Sequence, residues 1–148
     1  MPDSPMTSVA PPSAPPGHPP LEAYLARLWR EHSNDLEFVA LFGSRARGDA
    51  FEDSDYDLRV GLRAEDGLRF TDRVAVFMDT ESGRVQVFPY PLSELTRMEE
   101  DSNALLLEAL SVGVPLFDRG AWSAIKARFD RRRADGRLVR HSWGWELR

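Results

Sequence analysis

The stretch Leu41-Phe42-Gly43-Ser44-Arg45-Ala46-Arg47-Gly48, followed after an acidic segment by Ser54-Asp55-Tyr56-Asp57-Leu58-Arg59-Val60, decides how this chain is read. Leu36 to Phe42 is a largely apolar, β-rich run that ends abruptly at Gly43, the pattern of a buried strand meeting a loop. Asp57 to Leu62 predicts a second strand. Glycine at 43 lets the backbone turn sharply and approach a ligand closely. The amides that follow it, with the Ser44 hydroxyl, suit phosphate oxygens as acceptors. Arg45 and Arg47 add guanidinium donors matched to phosphate.

The carboxylates supply the other half. Residues two apart on a strand point to one face, so Asp55 and Asp57 present their oxygens side by side. Two ionised carboxylates that close repel, and one stays protonated unless a cation joins them. A hard dication such as Mg²⁺ removes the conflict, and it favours one or two carboxylates with phosphate oxygens and water. Taken singly, the Asp-x-Asp is as well read as a solvated turn, and Gly-Ser-Arg as a plain loop. Their pairing at successive strand ends carries the functional reading.

In this arrangement the chain resembles the minimal nucleotidyltransferases of the DNA polymerase β superfamily. Their signature is Gly-Ser, ten residues, then Asp-x-Asp; here Gly43-Ser44 precedes residues 45–54 and Asp55-Tyr56-Asp57. The extended form is matched at Ala46, Arg47, Gly48, Ser54 and Leu58 as well. The resemblance implies an α/β (α+β) nucleotidyltransferase fold, a small mixed β-sheet flanked by helices. It implies that Gly43, Ser44, Arg45 and Arg47 bind the nucleotide, while Asp55 and Asp57 bind Mg²⁺ and are catalytic. The implied reaction moves a nucleoside monophosphate from a nucleoside triphosphate, ATP first among them, to a hydroxyl, with release of pyrophosphate. Short relatives act as antitoxins of HEPN-type ribonucleases, so a HEPN-type partner protein is implied too.

Two positions depart from the family. A third carboxylate normally comes from the next core strand, and the residue aligned with it is Gln86. Glutamine cannot act as a base, and general-base help is worth about a hundredfold to ten-thousandfold in rate. Arg59 stands where an apolar residue is usual and shares a face with Asp57 by alternation. It is placed to clasp a triphosphate or to pair with Asp57, unless a bend sends it to solvent. The alternative function is therefore a weakened or inactive module of the same fold that binds nucleotide or a partner.

Outward from this centre, helical spacing predicts helices over Leu21–His32, 70–78 with Gly83 as a stop, 93–100, 102–112 capped by Ser102, and 121–133. The valines in 70–78 leave a strand possible there. Further strands are expected at Arg84–Phe88, closed by Pro89 and Pro91, and at Val114–Phe117. Eight of the eleven prolines lie in residues 1–20, which predicts a disordered leader before a domain over 21–133. Residues 134–148 form a tail whose Trp143, Trp145 and arginines suit base stacking or partner docking, or simple packing back on the domain. Arg131, Arg132 and Arg133 read as a solvated helix end.

Composition narrows the class. At 148 residues there is room for one domain. The absence of cysteine excludes disulfides, thiolate metal sites and thiol nucleophiles, and points to a cytoplasmic setting. A net charge of -5 argues against general nucleic-acid binding. No apolar stretch reaches membrane-span length. His18, His32 and His141 lack metal-ligand spacing.

Overall fold

The computed structural model describes residues 9–48, 50 and 54–148. Its frame is a four-stranded mixed sheet between two helical layers. The strands are β1 (Leu36–Phe42), β2 (Tyr56–Leu62), β3 (Val85–Pro91) and β4 (Val114–Asp118), in the order β3-β2-β1-β4. β1 runs antiparallel to β2 and β4, and β2 runs parallel to β3. A parallel pair needs a crossover, and the helix α3 (Phe70–Phe77) supplies it, after α1 (Pro19–His32) and the single turn α2 (Ser44–Arg47).

Alternation divides the core in two. Leu36, Val39, Leu41, Leu58, Val60 and Val87 pack with Leu21, Leu25 and Leu28 of α1. Phe38 and Ala40, on the opposite face, pack under α4 (Leu92–Glu100), α5 (Ala104–Val112) and α6 (Ala121–Ala134), through Leu95, Leu106, Leu110 and Trp122. Both faces of β1 are therefore covered, and that is why its sequence is apolar almost throughout rather than alternating.

Several local expectations are corrected. Residues 70–77 form a helix rather than a strand, but the buried residues on it are Arg73 and Phe77, while Met78 lies beyond it and is exposed. Arg73 is buried because Asp66 holds its guanidinium at 2.9 and 3.0 Å, Glu94 at 3.0 Å and the Leu68 carbonyl at 2.9 Å. The helix stops well before Gly83, because the chain turns around Asp79 instead. The cap of α5 is Asn103, whose side chain accepts from the Leu106 amide, and not Ser102.

Pro89 and Pro91 do not close β3 but lie within it. Proline is tolerated there because β3 is an edge strand, where a missing N–H costs no ladder bond. Two other groups of that edge are engaged by side chains. The Val85 amide donates to Asp79 Oδ2 at 3.2 Å, and Arg73 Nη1 donates to the Pro89 carbonyl at 3.4 Å.

Residues 9–18, read from composition as part of a leader, lie against α1, with Val9 and Ala14 packed on the core. Residues 1–8 fall outside the described residues. At the other end the tail forms a hairpin, β5 (Leu138–His141) with β6 (Gly144–Leu147). Trp145 meets Phe129 edge-on, with ring centres 5.6 Å apart, and Arg133, though exposed, lies over Trp145 at 5.4 Å. Trp143 is 71% exposed and stacks on His141. Among the described residues no helix is long and apolar enough to cross a membrane.

Asp79 offers a direct test. Burial raises its pKa, but bonds from the Ser82 hydroxyl and from the Ser82, Glu81 and Val85 amides outweigh that and hold it below the usual carboxylate value. Its contribution is thus complete above about pH 4, the unfolded value, and is lost as pH falls through the lower folded value. Asp79→Asn is expected to lose about 1–3 kcal/mol at neutral pH, with urea denaturation curves of wild type and variant converging in acid.

Candidate functional site

β1 leaves the sheet at Phe42, and the next residue does what only glycine does easily. Gly43 has φ +73° and ψ -155°, a region nearly closed to other residues. Its carbonyl accepts from the Ala46 and Arg47 amides at 3.1 and 3.0 Å, so α2 begins at once. Gly48, at φ +83°, ends that turn with its amide on the Ser44 carbonyl at 3.0 Å. Asp49, Glu52 and Asp53 of the acidic segment lie outside the described residues.

The chain returns at Ser54, and β2 begins at Tyr56, one residue earlier than its sequence suggests. Phe42 pairs with Asp57 in the ladder, which brings the Asp57 side chain under the Gly43 turn. A methyl group on Gly43 would overlap Asp57 Oδ2. Turn and carboxylate are therefore packed directly on each other. Burial raises the Asp57 pKa above the usual value, the charge of Asp55 raises it further, and Arg47 opposes both. This places Asp55, Asp57 and Arg47 within electrostatic reach of one another. Among the described residues no third His, Asp or Glu joins the two carboxylates.

The pairing registers make a grid of nine positions on this face. Phe42, Asp57 and Gln86 form the first row, Ala40, Arg59 and Phe88 the second, and Phe38, Gly61 and Tyr90 the third. Gln86 therefore stands beside Asp57, on the neighbouring strand, and its amide donates to the Gly83 carbonyl at 3.4 Å. Gly61 is glycine because a side chain there would strike the Phe38 ring.

Arg59, in the middle, is fully buried, so the bend to solvent does not occur. It does not pair with Asp57 either: none of its three side-chain nitrogens has a hydrogen-bond partner. Its guanidinium carbon lies 5.3 Å from the centre of the Phe42 ring and 5.1 Å from that of Tyr90. Burial pushes its pKa below the ordinary arginine value, with Tyr90 opposing.

Arg45 faces away from the carboxylates. It donates to the Ser54 carbonyl at 2.7 Å and covers the Tyr56 ring at 4.2 Å. Sequence reasoning missed two further members of this group. Arg84 donates to the same carbonyl at 2.9 Å, and His18 Nδ1 lies 2.9 Å from the Tyr56 hydroxyl. The only local signal was a tyrosine between the two aspartates; its partners come from 28 and 38 residues away. Ser44 is half-buried within the turn.

Known structures share this frame. A chain of a toxin–antitoxin solved with AMP-PNP is 14% identical, with a TM-score of 0.51, over 78% of this chain and 88% of its own. A candidate nucleotidyltransferase from Sulfolobus solfataricus is 22% identical, with a TM-score of 0.51, over 68% and 79%. A chain of a mutant MntA-HpeT toxin–antitoxin is 13% identical, with a TM-score of 0.50, over 78% and 88%. No curated protein gives a significant match. At these identities the likeness is one of fold. The family described as Polymerase beta, Nucleotidyltransferase matches residues 25–120, a span that holds all four strands of the sheet and the glycine turn packed on Asp57, and the chain belongs to that family.

Proposed function

We propose that the chain transfers a nucleoside monophosphate from a nucleoside triphosphate, with ATP as the donor, to an oxygen of an acceptor brought by a partner protein. The observation that carries this reading is the contact of Gly43 with Asp57, which sets phosphate donors against a carboxylate pair. The Ser44 and Arg45 amides open α2, where the first-turn N–H groups lack helical partners. With the Ser44 hydroxyl and Arg47 they hold the β- and γ-phosphates. Arg45 acts through its side chain as the brace that fixes Ser54 and Tyr56 behind the aspartates.

Asp55 and Asp57 fit a divalent cation such as Mg²⁺, because their mutual repulsion and the burial of Asp57 are both relieved by it. When bound, such an ion neutralises charge on the phosphates as the leaving group departs. The chain's own residues orient the triphosphate and hold it against the sheet. AMP-PNP in a toxin–antitoxin neighbour supports an adenine nucleotide. The toxin–antitoxin neighbours also support a protein partner, and the family resemblance implies a HEPN-type ribonuclease that carries the acceptor.

A second reading, a module that binds nucleotide without turning it over, is favoured by one feature. Gln86 occupies the place beside Asp57 where a carboxylate would deprotonate a hydroxyl. Incubation with α-labelled ATP, Mg²⁺ and the partner separates the two, since label transfer that Asp55→Ala abolishes leaves only the enzyme.

Two substitutions test the site. Asp57→Asn removes a carboxylate that burial and Asp55 already disfavour in its charged form. The metal-free variant should melt at a higher temperature than wild type near pH 7, and calorimetry should find its magnesium-dependent ATP binding gone. Gly43→Ala introduces about 1–3 kcal/mol of backbone strain and displaces the Asp57 side chain. ATP affinity should then fall at least about tenfold, one kcal-scale step in binding energy, while circular dichroism still reports a folded sheet.

A further inference from the structure

Arg59 is the side chain that the donor site leaves unexplained. A guanidinium carries five N–H donors and stays charged, and burying such a charge without a counter-ion is among the costliest things a fold can retain. Here all three nitrogens are buried without a hydrogen bond of normal geometry, between the Phe42 and Tyr90 rings, and Tyr90 is the polar neighbour that supports the charge. The ring faces offset part of the cost, but they accept none of the hydrogen bonds. The position follows Asp57 by one step along the same strand face and adjoins Phe88 across the ladder. Phe42, Phe88 and Tyr90 are each only partly buried, so the cover over Arg59 consists of rings that themselves reach the surface. An anion therefore reaches Arg59 by displacing a side chain, without parting the strands.

The neighbouring change points the same way. Beside Asp57, where a carboxylate would take a proton from an acceptor, Gln86 is neutral and half of its amide is engaged with Gly83. Against the pattern that the family resemblance implies, the first two rows of the grid carry, among the described residues, one negative charge fewer and one buried positive charge more. That combination suits a nucleophile that needs no base. We infer that the acceptor of this chain attacks with an oxygen that is already an anion, a phosphate or carboxylate oxygen, received by the buried Arg59 when a ring among Phe42, Phe88 and Tyr90 moves aside. This rests on the donor-site reading above and takes its acceptor oxygen to be an oxyanion in place of the hydroxyl that the family resemblance implies.

The step balances without a proton acceptor. The acceptor oxyanion forms a bond to the α-phosphorus, the bond from that phosphorus to the bridging oxygen of the β-phosphate breaks, and pyrophosphate leaves with the electron pair. The product is a phosphoanhydride when the acceptor is a phosphate and an acyl phosphate when it is a carboxylate. Arg59 offsets the repulsion between the incoming anion and the triphosphate.

The experiment uses the full chain with its donor site filled by AMP-PNP and Mg²⁺, occupancy being verified by calorimetry. Inorganic phosphate and acetate are then added separately, and melting is followed for wild type, Arg59→Met and Gln86→Glu. Wild type should gain stability with one or both anions, and the anion that acts identifies the acceptor class. Arg59→Met should melt no lower than wild type before addition, since it deletes an unpaired buried charge, and should bind the anion about tenfold to a hundredfold more weakly. Gln86→Glu should weaken it as well, by placing a like charge beside it. A lower starting melting temperature for Arg59→Met would make Arg59 a structural residue and overturn the inference, as would an equal response of wild type and Arg59→Met. In parallel, α-labelled ATP with Mg²⁺ is offered glycerol or methyl phosphate, an ester without an alcohol hydroxyl. Label on the phosphate ester supports an oxyanion acceptor; label on glycerol, or on neither, counts against it. Failure of AMP-PNP to bind at all would instead remove the donor site itself.

Discussion

The arrangement of this chain depends on one close approach, the backbone of Gly43 against the carboxylate of Asp57. No side chain fits between them, and no residue but glycine readily takes the backbone angles that the turn requires. Because Phe42 and Asp57 are ladder partners, the approach is set by the sheet register and not by a mobile loop. The register in turn is held by burial on both faces, since a slip by one residue would send Asp57 and Arg59 into the apolar layer under α1. The site thus inherits its precision from the core.

That same rigidity accounts for the tolerance of awkward groups. A half-buried Asp57 next to Asp55 and a fully buried, unpaired Arg59 each work against stability, and they lie two residues apart on one strand. Strain of this kind persists only where the surroundings over-determine it. Here Leu58 and Val60 alternate with them and are locked into the opposite core. The strand is a hydrophobic anchor on one side and a charged instrument on the other.

Much of this was legible in the sequence. The Gly43-Ser44 turn, the two strands around it and the alternation that puts Asp57 and Arg59 on one face all follow from local pattern. The family resemblance aligned Gln86 with the third carboxylate of the next core strand, and the ladder pairs it with Asp57. What escaped were groups whose state is decided by distant contacts. Arg73 reads as a surface residue until Asp66 and Glu94 are seen to enclose it. The prolines of β3 read as terminators because nothing local says that the strand lies at an edge. Arg59 admitted solvent, a clasp on phosphate or a pair with Asp57; burial excludes the first and the lack of a bond the third, and only the third dimension reveals the rings of Phe42 and Tyr90 around it.

The occupied edge of β3 has a consequence for assembly. Pro89 and Pro91 lack donors, and Asp79 and Arg73 engage the Val85 amide and the Pro89 carbonyl, so that edge has fewer backbone groups for another polypeptide to zip onto. A protein approaching from that flank must be recognised through side chains, whose identity a single substitution can alter. Choice of companion on that flank is therefore open to revision one residue at a time, while the scaffold underneath stays constant.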